Sequence, residues 1–430
     1  MKIPPVKGTR DFYPPEMARR NWIVDGWKKV SLRNGFEEYD GPIFEHLTMY
    51  QIKSGDEIVE QLFSLQDRGG RDLAIRPEIT PTLARMVNQQ INALPRPIKW
   101  FSVPRLCRAE RPQKGRLREF FQWNIDVIGE ERGHADAEII LTTVDYLRSV
   151  GLTEADIRAK ISSRRLLAAV LTRIGIASEQ LEPLYGVLDK KAKLPDETFE
   201  ALLSEQVPDK TQVRKILDFM GLDAVDGIGG IVEPDEELSG AIEEMQTVLA
   251  ILHAMGVAEY CAFDPGIVRG LAYYTGVVFE VHDIGGELRA ICGGGRYDNL
   301  LRDFGGPPIP ATGMGMGDCV LEILLHEKGL LEKQVPGRDL EFFVACAGRE
   351  FVDAMYAVAA RIRSRGRSAN FSYKQSGLSK QLKEATGQNA RKCVIIGQEY
   401  REQGQVAVKD LATGEQEQVS LEEFLSGLTA

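Results

Sequence analysis

Apolar side chains recur along this chain with two different periods. Over residues 16–34, Ile23, Trp27 and Val30 share one helical face, with Pro14 and Pro15 before it and Gly35 after it, which predicts an amphipathic helix. Thr80-Pro81 reads as a helix start, with Leu83, Val87 and Ile91 following at helical spacing. Residues 98–104 and 119–128 predict two strands joined by a polar loop, and 135–150 a helix that stops at Gly151. From 163 to 232 the chain is rich in Leu, Lys and Glu at helical spacing and closes on the turn Gly227–Gly230. A helix follows at 237–255, and glycine-punctuated strand signals return at 272–282 and 287–293. A helical block between two β-rich blocks predicts an insertion into one larger domain.

Residues 327–339, polar and carrying Pro336 and Gly337, predict a linker. Beyond it come a strand at 340–346 and a helix at 349–365 with Phe351, Met355, Val358 and Ile362 on one face. A short strand, a helix near 378–387 and strands near 393–397 and 404–409 complete a small α/β domain.

Composition narrows the classes. At roughly 150 residues per domain, 430 residues make two to three domains, and 43 % apolar with 27 % charged residues excludes collagen, disorder and membrane spanning. The net charge of -10, from 63 acidic and 53 basic residues, excludes a simple basic nucleic-acid coat but leaves room for local cationic patches. Cys107, Cys261, Cys292, Cys319, Cys346 and Cys393 form no C-x-x-C pair and sit near no histidine at zinc spacing, so they read as small buried side chains in a reducing compartment. The N-terminus has no apolar signal-peptide core and no window approaches a membrane span, which predicts a cytoplasmic protein without a membrane partner. His46, His134, His253, His282 and His326 are scattered, so no metal site and no nucleophilic triad is predicted. Positioning and electrostatics are left as the available chemistry.

Strand 119–128 is the most informative segment. Phe121, Trp123, Ile125 and Val127 alternate with Gln122, Asn124 and Asp126. The first set is a core face; the polar row either meets water or lines a site. If 98–111 pairs with this strand as a hairpin, Arg108 and Glu110 share one parity and project beside the polar row, where a guanidinium fork could hold phosphate or carboxylate. The loop between carries Arg111, Lys114, Arg116 and Arg118 around Gly115, which reads equally as a solvated turn. Gly293-Gly294-Gly295-Arg296-Tyr297 allows close approach of backbone to a ligand; Gly313-Met314-Gly315-Met316-Gly317 reads equally as packing or turn. Neither matches the Walker A or Rossmann pattern. Between 361 and 392, Arg361, Arg363, Arg365, Arg367, Lys374, Lys380, Lys383, Arg391 and Lys392 face a single acid, Glu384, with Phe371 and Tyr373 interleaved, which predicts a polyanion-binding surface.

Taken together these strings resemble the histidyl-tRNA synthetase family of class II aminoacyl-tRNA synthetases. The resemblance is carried by Lys7-Gly8-Thr9-Arg10-Asp11-Phe12-Tyr13-Pro14, Gly41-Pro42-Ile43-Phe44-Glu45 (motif 1), Arg76-Pro77-Glu78-Ile79-Thr80, the motif 2 run from Arg108 to Asp126, Arg269 to Tyr274, Gly294 to Asp298, and the C-terminal domain. It implies an α+β fold: a class II antiparallel β-sheet core flanked by helices, a helical insertion, and a C-terminal α/β anticodon-binding domain. The core would occupy 1–162 and 233–328, the insertion 163–232 and the anticodon-binding domain 339–430.

The activity implied is attachment of histidine to its tRNA through histidyl-adenylate, with ATP as substrate and Mg²⁺ carried on it. The partners implied are L-histidine, ATP and histidine tRNA, with a homodimer formed through the Pro42 segment. By the same resemblance Arg108 and Arg269 hold the α-phosphate and Glu110 the adenine. Glu78 and Thr80 bind the α-amino group, and Gln122 positions the substrate carboxylate. Asp126 and Tyr274 read the imidazole, and Tyr297 closes the pocket. Arg111 and Arg116 meet the acceptor end of the tRNA, and Arg365 and Arg367 belong to the RNA surface of the C-terminal domain.

Three positions depart from the family pattern. Asp126 stands where Glu is usual, shortening the side chain by about 1.5 Å. Ala272 replaces an Asp, and Val320 stands where motif 3 usually carries the arginine that grips the γ-phosphate. Val cannot bind phosphate, so either another cation, Arg296 or Arg116, substitutes, or ATP binding is weakened. The competing reading is a histidine-sensing paralogue, the regulatory subunit of ATP phosphoribosyltransferase. That paralogue generally lacks the anticodon domain.

Overall fold

A computed structural model describes residues 3–428 other than 53–61, 132, 192–193, 269–273, 287, 336, 338–339 and 375. The chain divides into two units, Met1–Val335 and Pro336–Ala430.

The strand Glu119–Ile128 organises the first unit. Trp123, Ile125 and Val127 are buried in the main core, as their alternation predicts. The helix Pro14–Arg33 brings Trp27 to stack on Trp123 at 6.2 Å between centroids, and His134–Ser149 brings Tyr146 edge-on at 5.4 Å. The indole Nε1 of Trp123 donates to Ser31 Oγ at 2.8 Å, so this aromatic cluster buries its polar atom with a partner. Both Ile98–Ser102 and Arg105–Cys107 pair antiparallel with this strand, forming the expected hairpin. On its other edge lies Ala311–Gly317, followed in order by Cys292–Arg296, Val277–Asp283, Ile157–Ser163 and Cys261–Phe263. Glu37–Glu38 closes the opposite edge. The sheet is antiparallel except at its two outer pairs, which are parallel.

Ala311–Gly317 is a central strand rather than a turn. The run Gly-Met-Gly-Met-Gly has period two. Met314 and Met316 fill the core side opposite Ile125 and Trp123, and the glycines present bare backbone on the other side. Strands Ile157–Ser163 and Cys261–Phe263 also lie outside the sequence expectations. Between them run the helices Arg164–Ile174, Ser178–Leu188, Asp196–Gln206, Lys210–Met220 and Glu236–Ala254. Their starts and stops follow local chemistry. Ser163 accepts from Leu166 N, Asp209 from Thr211 N, and Gly175 ends its helix at φ 100°. Their apolar faces, including Leu171, Leu188, Leu203 and Phe219, join the same buried cluster as the sheet.

The second unit is a five-stranded sheet in the order Ala369–Phe371, Leu340–Cys346, Ala390–Ile396, Gln405–Asp410, Gln416–Ser420. Its first three strands are parallel and its last two antiparallel. Helix Val352–Ser364 buries Met355, Val358 and Ile362 in this unit's core. The last strand and the helix Leu421–Ser426 lie outside the sequence expectations; the strand is polar and exposed and carries no apolar alternation. Among the described residues no helix is long and apolar enough to cross a membrane.

Candidate active site

Across the sheet, directly opposed residues point to the same face. Asp126 opposes Gly313, which opposes Gly295; Asn124 opposes Gly315, and Gln122 opposes Gly317. The polar row therefore stands beside a floor of glycine backbone. A Cβ at Gly313 would fall 2.1 Å from Asp126 Oδ1, one at Gly315 2.9 Å from Gln122 Nε2, and one at Gly295 2.9 Å from Tyr274 Cδ1. Any side chain at these positions would fill the space that the polar row and Tyr274 occupy. Gln122 to Asp126 spans roughly 13 Å at strand rise, room for an amino acid and the group joined to its carboxyl end.

Asp126 is 3 % exposed and Asn124 is buried too, so this end of the row does not face water, while Gln122 is half-buried. The Tyr297 hydroxyl donates to Asp126 Oδ1, while Oδ2 is buried without a hydrogen bond among the described residues. Burial pushes the Asp126 carboxyl up to about 7, only partly opposed by the bond from Tyr297. Tyr297 is set by its backbone N–H, which donates to Ala311 O at 2.7 Å. Its neighbour Arg296 points to the opposite face. There it meets Asp136 at 2.6 Å, Asp298 at 3.3 Å and Glu130 O at 3.0 Å. Thr275 closes this network, its hydroxyl donating to Asp298 at 2.8 Å. Arg296 is thus a buried structural cation beneath the pocket, and the suggestion that it replaces the motif 3 arginine is corrected.

At the other end of the row the Arg108 guanidinium lies over Phe120 at 5.3 Å, and its Nε donates to Pro77 O at 3.0 Å. Phe120 has the parity of Gln122, so Arg108 borders the polar face, as the hairpin predicts. The same contact ties Arg108 to the Arg76–Thr80 string. Arg76 pins that string through Asp40 at 2.6 Å, Gly41 O at 2.8 Å and Arg105 O at 3.1 Å. Glu78 is buried, and Thr80 begins the helix Thr80–Gln89.

Glu110 is buried and paired with Arg116. The loop between them turns tightly, Gln113 and Arg116 exchanging backbone bonds at 3.0 and 2.9 Å around Gly115 at φ 74°. Lys114 pairs with Glu327 at 3.2 Å, and Arg118 donates to Glu110 O at 3.0 Å. Arg111 is exposed and has no ion pair among the described residues. Arg269 lies outside the described residues.

In the second unit, acids distant in sequence meet the basic run. Arg361 pairs with Glu422 at 2.7 Å, Arg367 with Glu341 at 2.6 Å, and Arg363 donates to Ala369 O at 2.9 Å. Arg365, Lys374, Lys380 and Lys383 remain exposed without an ion pair among the described residues. Phe371 and the exposed Tyr373 lie 5.2 Å apart. The patch is real but less cationic than a count along the sequence implies. Sequence reasoning did not single out Tyr39, which packs on Trp100, and it gave no role to Arg10, which pairs with Asp318 and Glu322 at the head of the helix Asp318–Glu327.

A glycine-floored antiparallel sheet with a buried carboxylate at one end and an arginine at the other is a core that can activate a small acid. The comparisons make the class definite. The histidyl-tRNA synthetase family model matches residues 8–317, and an anticodon-binding domain model matches 341–430. The chain is 38 % identical over 422 residues to "Histidine–tRNA ligase, chloroplastic/mitochondrial" of Arabidopsis thaliana, covering 98 % of this chain and 86 % of that one. It is 39 % identical over 409 residues to a histidine–tRNA ligase of Opitutus terrae, covering 94 % and 93 %. The crystal structure of histidyl-tRNA synthetase from Nostoc sp. PCC 7120 superposes with a TM-score of 0.85 at 24 % identity, covering 100 % and 99 %. An ATP phosphoribosyltransferase regulatory subunit/histidyl-tRNA synthetase from Bacillus halodurans superposes at 0.76 with 23 % identity, covering 92 % and 100 %. These last two likenesses speak to fold alone. The chain belongs to the histidyl-tRNA synthetase family of class II aminoacyl-tRNA synthetases.

Proposed function

We propose that this protein attaches histidine to its tRNA, consuming ATP and releasing AMP and pyrophosphate. The observation that carries the reading is the polar row itself. It offers a buried acceptor, Asp126 Oδ2, at one end of a bare backbone floor and the Arg108 guanidinium at the other. In this reading the imidazole lies against Asp126, Tyr274 and Tyr297, and the α-amino group against Glu78 and Thr80. Gln122 positions the carboxylate toward the nucleotide. A carboxylate oxygen attacks the α-phosphorus of ATP and pyrophosphate leaves in line, with Arg108 and Arg269 neutralising charge as it builds. Glu110 takes the adenine end, and Mg²⁺ enters as part of the substrate on the ATP phosphates. The terminal ribose hydroxyl of the tRNA then attacks the histidyl carbonyl and AMP leaves. Arg111 and Arg116 meet that acceptor end, while Arg365 and Arg367 serve the anticodon side.

The division of labour follows the same reading. Residues 1–162 and 233–328 form the catalytic core, 163–232 the insertion and 339–430 the anticodon-binding domain. The protein works in the cytoplasm as a homodimer joined through the Pro42 segment.

The test is histidine-dependent ATP–pyrophosphate exchange by the full-length protein. Exchange is expected in the wild type and its loss in Arg269→Ala with the fold retained. Histidine binding without any exchange would favour the sensor paralogue instead, and near-normal exchange in Arg269→Ala would remove that residue from the chemistry.

A further inference from the structure

Tyr274 and Tyr297 reach the pocket from separate stretches of chain, yet their neighbours in sequence meet in one network. Gly295 belongs to the pocket floor, so Arg296 after it points to the other face of the sheet and Tyr297 returns to the pocket. Arg296 and Asp136 are 3 % and 2 % exposed. The guanidinium forks onto Asp136 Oδ2, with Nε at 3.0 Å and one terminal nitrogen at 2.6 Å. Its other terminal nitrogen donates to Glu130 O at 3.0 Å and to Asp298 Oδ1 at 3.3 Å. The second oxygen of Asp298 accepts from the Thr275 hydroxyl at 2.8 Å, and the Asp298 N–H donates to that same hydroxyl at 3.1 Å. The Thr275 N–H donates to Arg296 O at 2.8 Å. Thr275 directly follows Tyr274, as Arg296 directly precedes Tyr297. One carboxylate, Asp298, therefore ties the chain beside one tyrosine to the chain beside the other. The stem of Arg296 also lies against Gly276, where a Cβ would fall 2.9 Å from its Cδ.

A charge pair this deeply buried is a poor stabiliser. Its attraction must offset the loss of water around both ions, and apolar residues of like volume commonly do as well. What the fork and the carboxylate bridge add is fixed geometry. We propose that Arg296 is a positioning residue of the reaction, which through Asp136, Asp298 and Thr275 holds Tyr274 and Tyr297 at one set spacing across the histidine pocket. The inference rests on the reading of this recess as the histidine site. In this role Arg296 touches no substrate. It acts through Tyr297, whose hydroxyl donates to Asp126 Oδ1, and through Tyr274, whose ring edge stands 2.9 Å from where a Cβ on Gly295 would fall. Asp136 lies in the first turn of the helix His134–Ser149, where the helix end favours a carboxylate, so the anchor of the network belongs to a regular element. Lysine in place of Arg296 keeps the charge but offers a single point, which cannot span Asp136, Glu130 O and Asp298 at once.

The experiment measures pyrophosphate exchange by full-length wild type, Arg296→Lys, Thr275→Val and Thr275→Ser, with histidine and ATP varied in turn. A misplacement of about 1 Å in a site can cost about a hundredfold, so Arg296→Lys should raise the histidine KM about tenfold. The ATP KM should move less than about twofold, because the network borders the tyrosines and not the Arg108 end of the polar row. Thr275→Val keeps the side chain's shape but removes the hydroxyl bridge to Asp298, and should raise the histidine KM about threefold. Thr275→Ser restores the hydroxyl and should stay within about twofold of wild type. A merely structural role would lower the Tm and the active fraction while leaving the histidine KM of the folded enzyme unchanged, and that result would overturn the proposal. Equal rises in the two KM values would overturn it too, as would Thr275→Val and Thr275→Ser that behave alike. Should Arg296→Lys not fold, the two Thr275 variants decide by the same criteria. A wild type without histidine-dependent exchange would overturn the pocket reading itself, and the role of Arg296 with it.

Discussion

Replacing Asp126 with asparagine should change how the stability of the unliganded protein depends on pH. In the folded protein burial pushes this carboxyl up to about 7, against 3.8 in its ordinary state. The folded state therefore holds a proton that the unfolded chain releases. Stability from this group is fully present below pH 4 and is lost as pH rises from 4 through 7, because over that window the native state binds more protons. Integrating between pH 5 and pH 8 gives a loss of about 3 kcal/mol, with little screening to discount because the group is buried. The amide of Asp126→Asn does not titrate, so the variant should lack this component. Urea unfolding at pH 5 and pH 8, followed by Trp fluorescence, reads it directly, since Trp27 and Trp123 lie in the core on the reverse of the same strand. The variant should gain on the wild type by about 3 kcal/mol between pH 5 and pH 8. Saturating histidine should reduce the wild-type slope by giving the carboxylate a partner. A wild-type-to-variant difference that is the same at both pH values would refute the assignment of Asp126 as a buried, unsatisfied carboxyl.

Two further substitutions follow from the geometry. Gly313→Ala would place a methyl group 2.1 Å from Asp126 Oδ1 and 2.9 Å from the Ile125 carbonyl; with backbone on one side it cannot simply be accommodated. A loss of about 1–3 kcal/mol in urea unfolding is expected, together with loss of the histidine-induced Tm rise. Arg365→Ala removes an exposed cation with no ion pair among the described residues, so stability should change by less than about 0.5 kcal/mol. Its tRNA affinity should fall and the salt dependence flatten by about one unit of log–log slope, measured by filter binding across a salt series.

Most of the fold could be read wherever an apolar pattern was strong. The stripe Ile23, Trp27, Val30 gave the first helix, and the alternation from Phe121 to Val127 gave the organising strand with the correct inward set. The failures share a cause. Gly313 to Gly317 reads as packing or turn because glycine is common in turns, and the two methionines between them decide for packing. A strand that must pack on one side and leave room on the other has this composition. Gln416–Ser420 is an edge strand with no buried face to write into sequence. At the site, the polar row and Arg108 were legible because strand parity places them. Tyr39 was not, since only the long-range parallel pairing of Glu37 with Trp100 brings it beside Trp100 and Asp126.

Charge shows the same limit from another side. The run from 361 to 392 has one acid of its own, but Glu341 and Glu422 reach it through the fold and occupy Arg367 and Arg361. Motif 3 is the sharper case. The sequence reveals that an arginine is missing at Val320, and the structure reveals what the space holds instead. Val320 is buried, and a Cβ on Gly115 would come within 3.0 Å of it, so the tip of the motif 2 loop rests on this side chain. Two residues earlier, Asp318 pairs with Arg10, 308 positions away in the chain, and also accepts from the Phe121 N–H at 3.1 Å. An arginine at 320 would have to displace the loop tip. The absent arginine, the Gly115 turn and the Arg10–Asp318 pair are therefore parts of one local packing solution. In this packing Arg116 of the motif 2 loop is turned back onto Glu110.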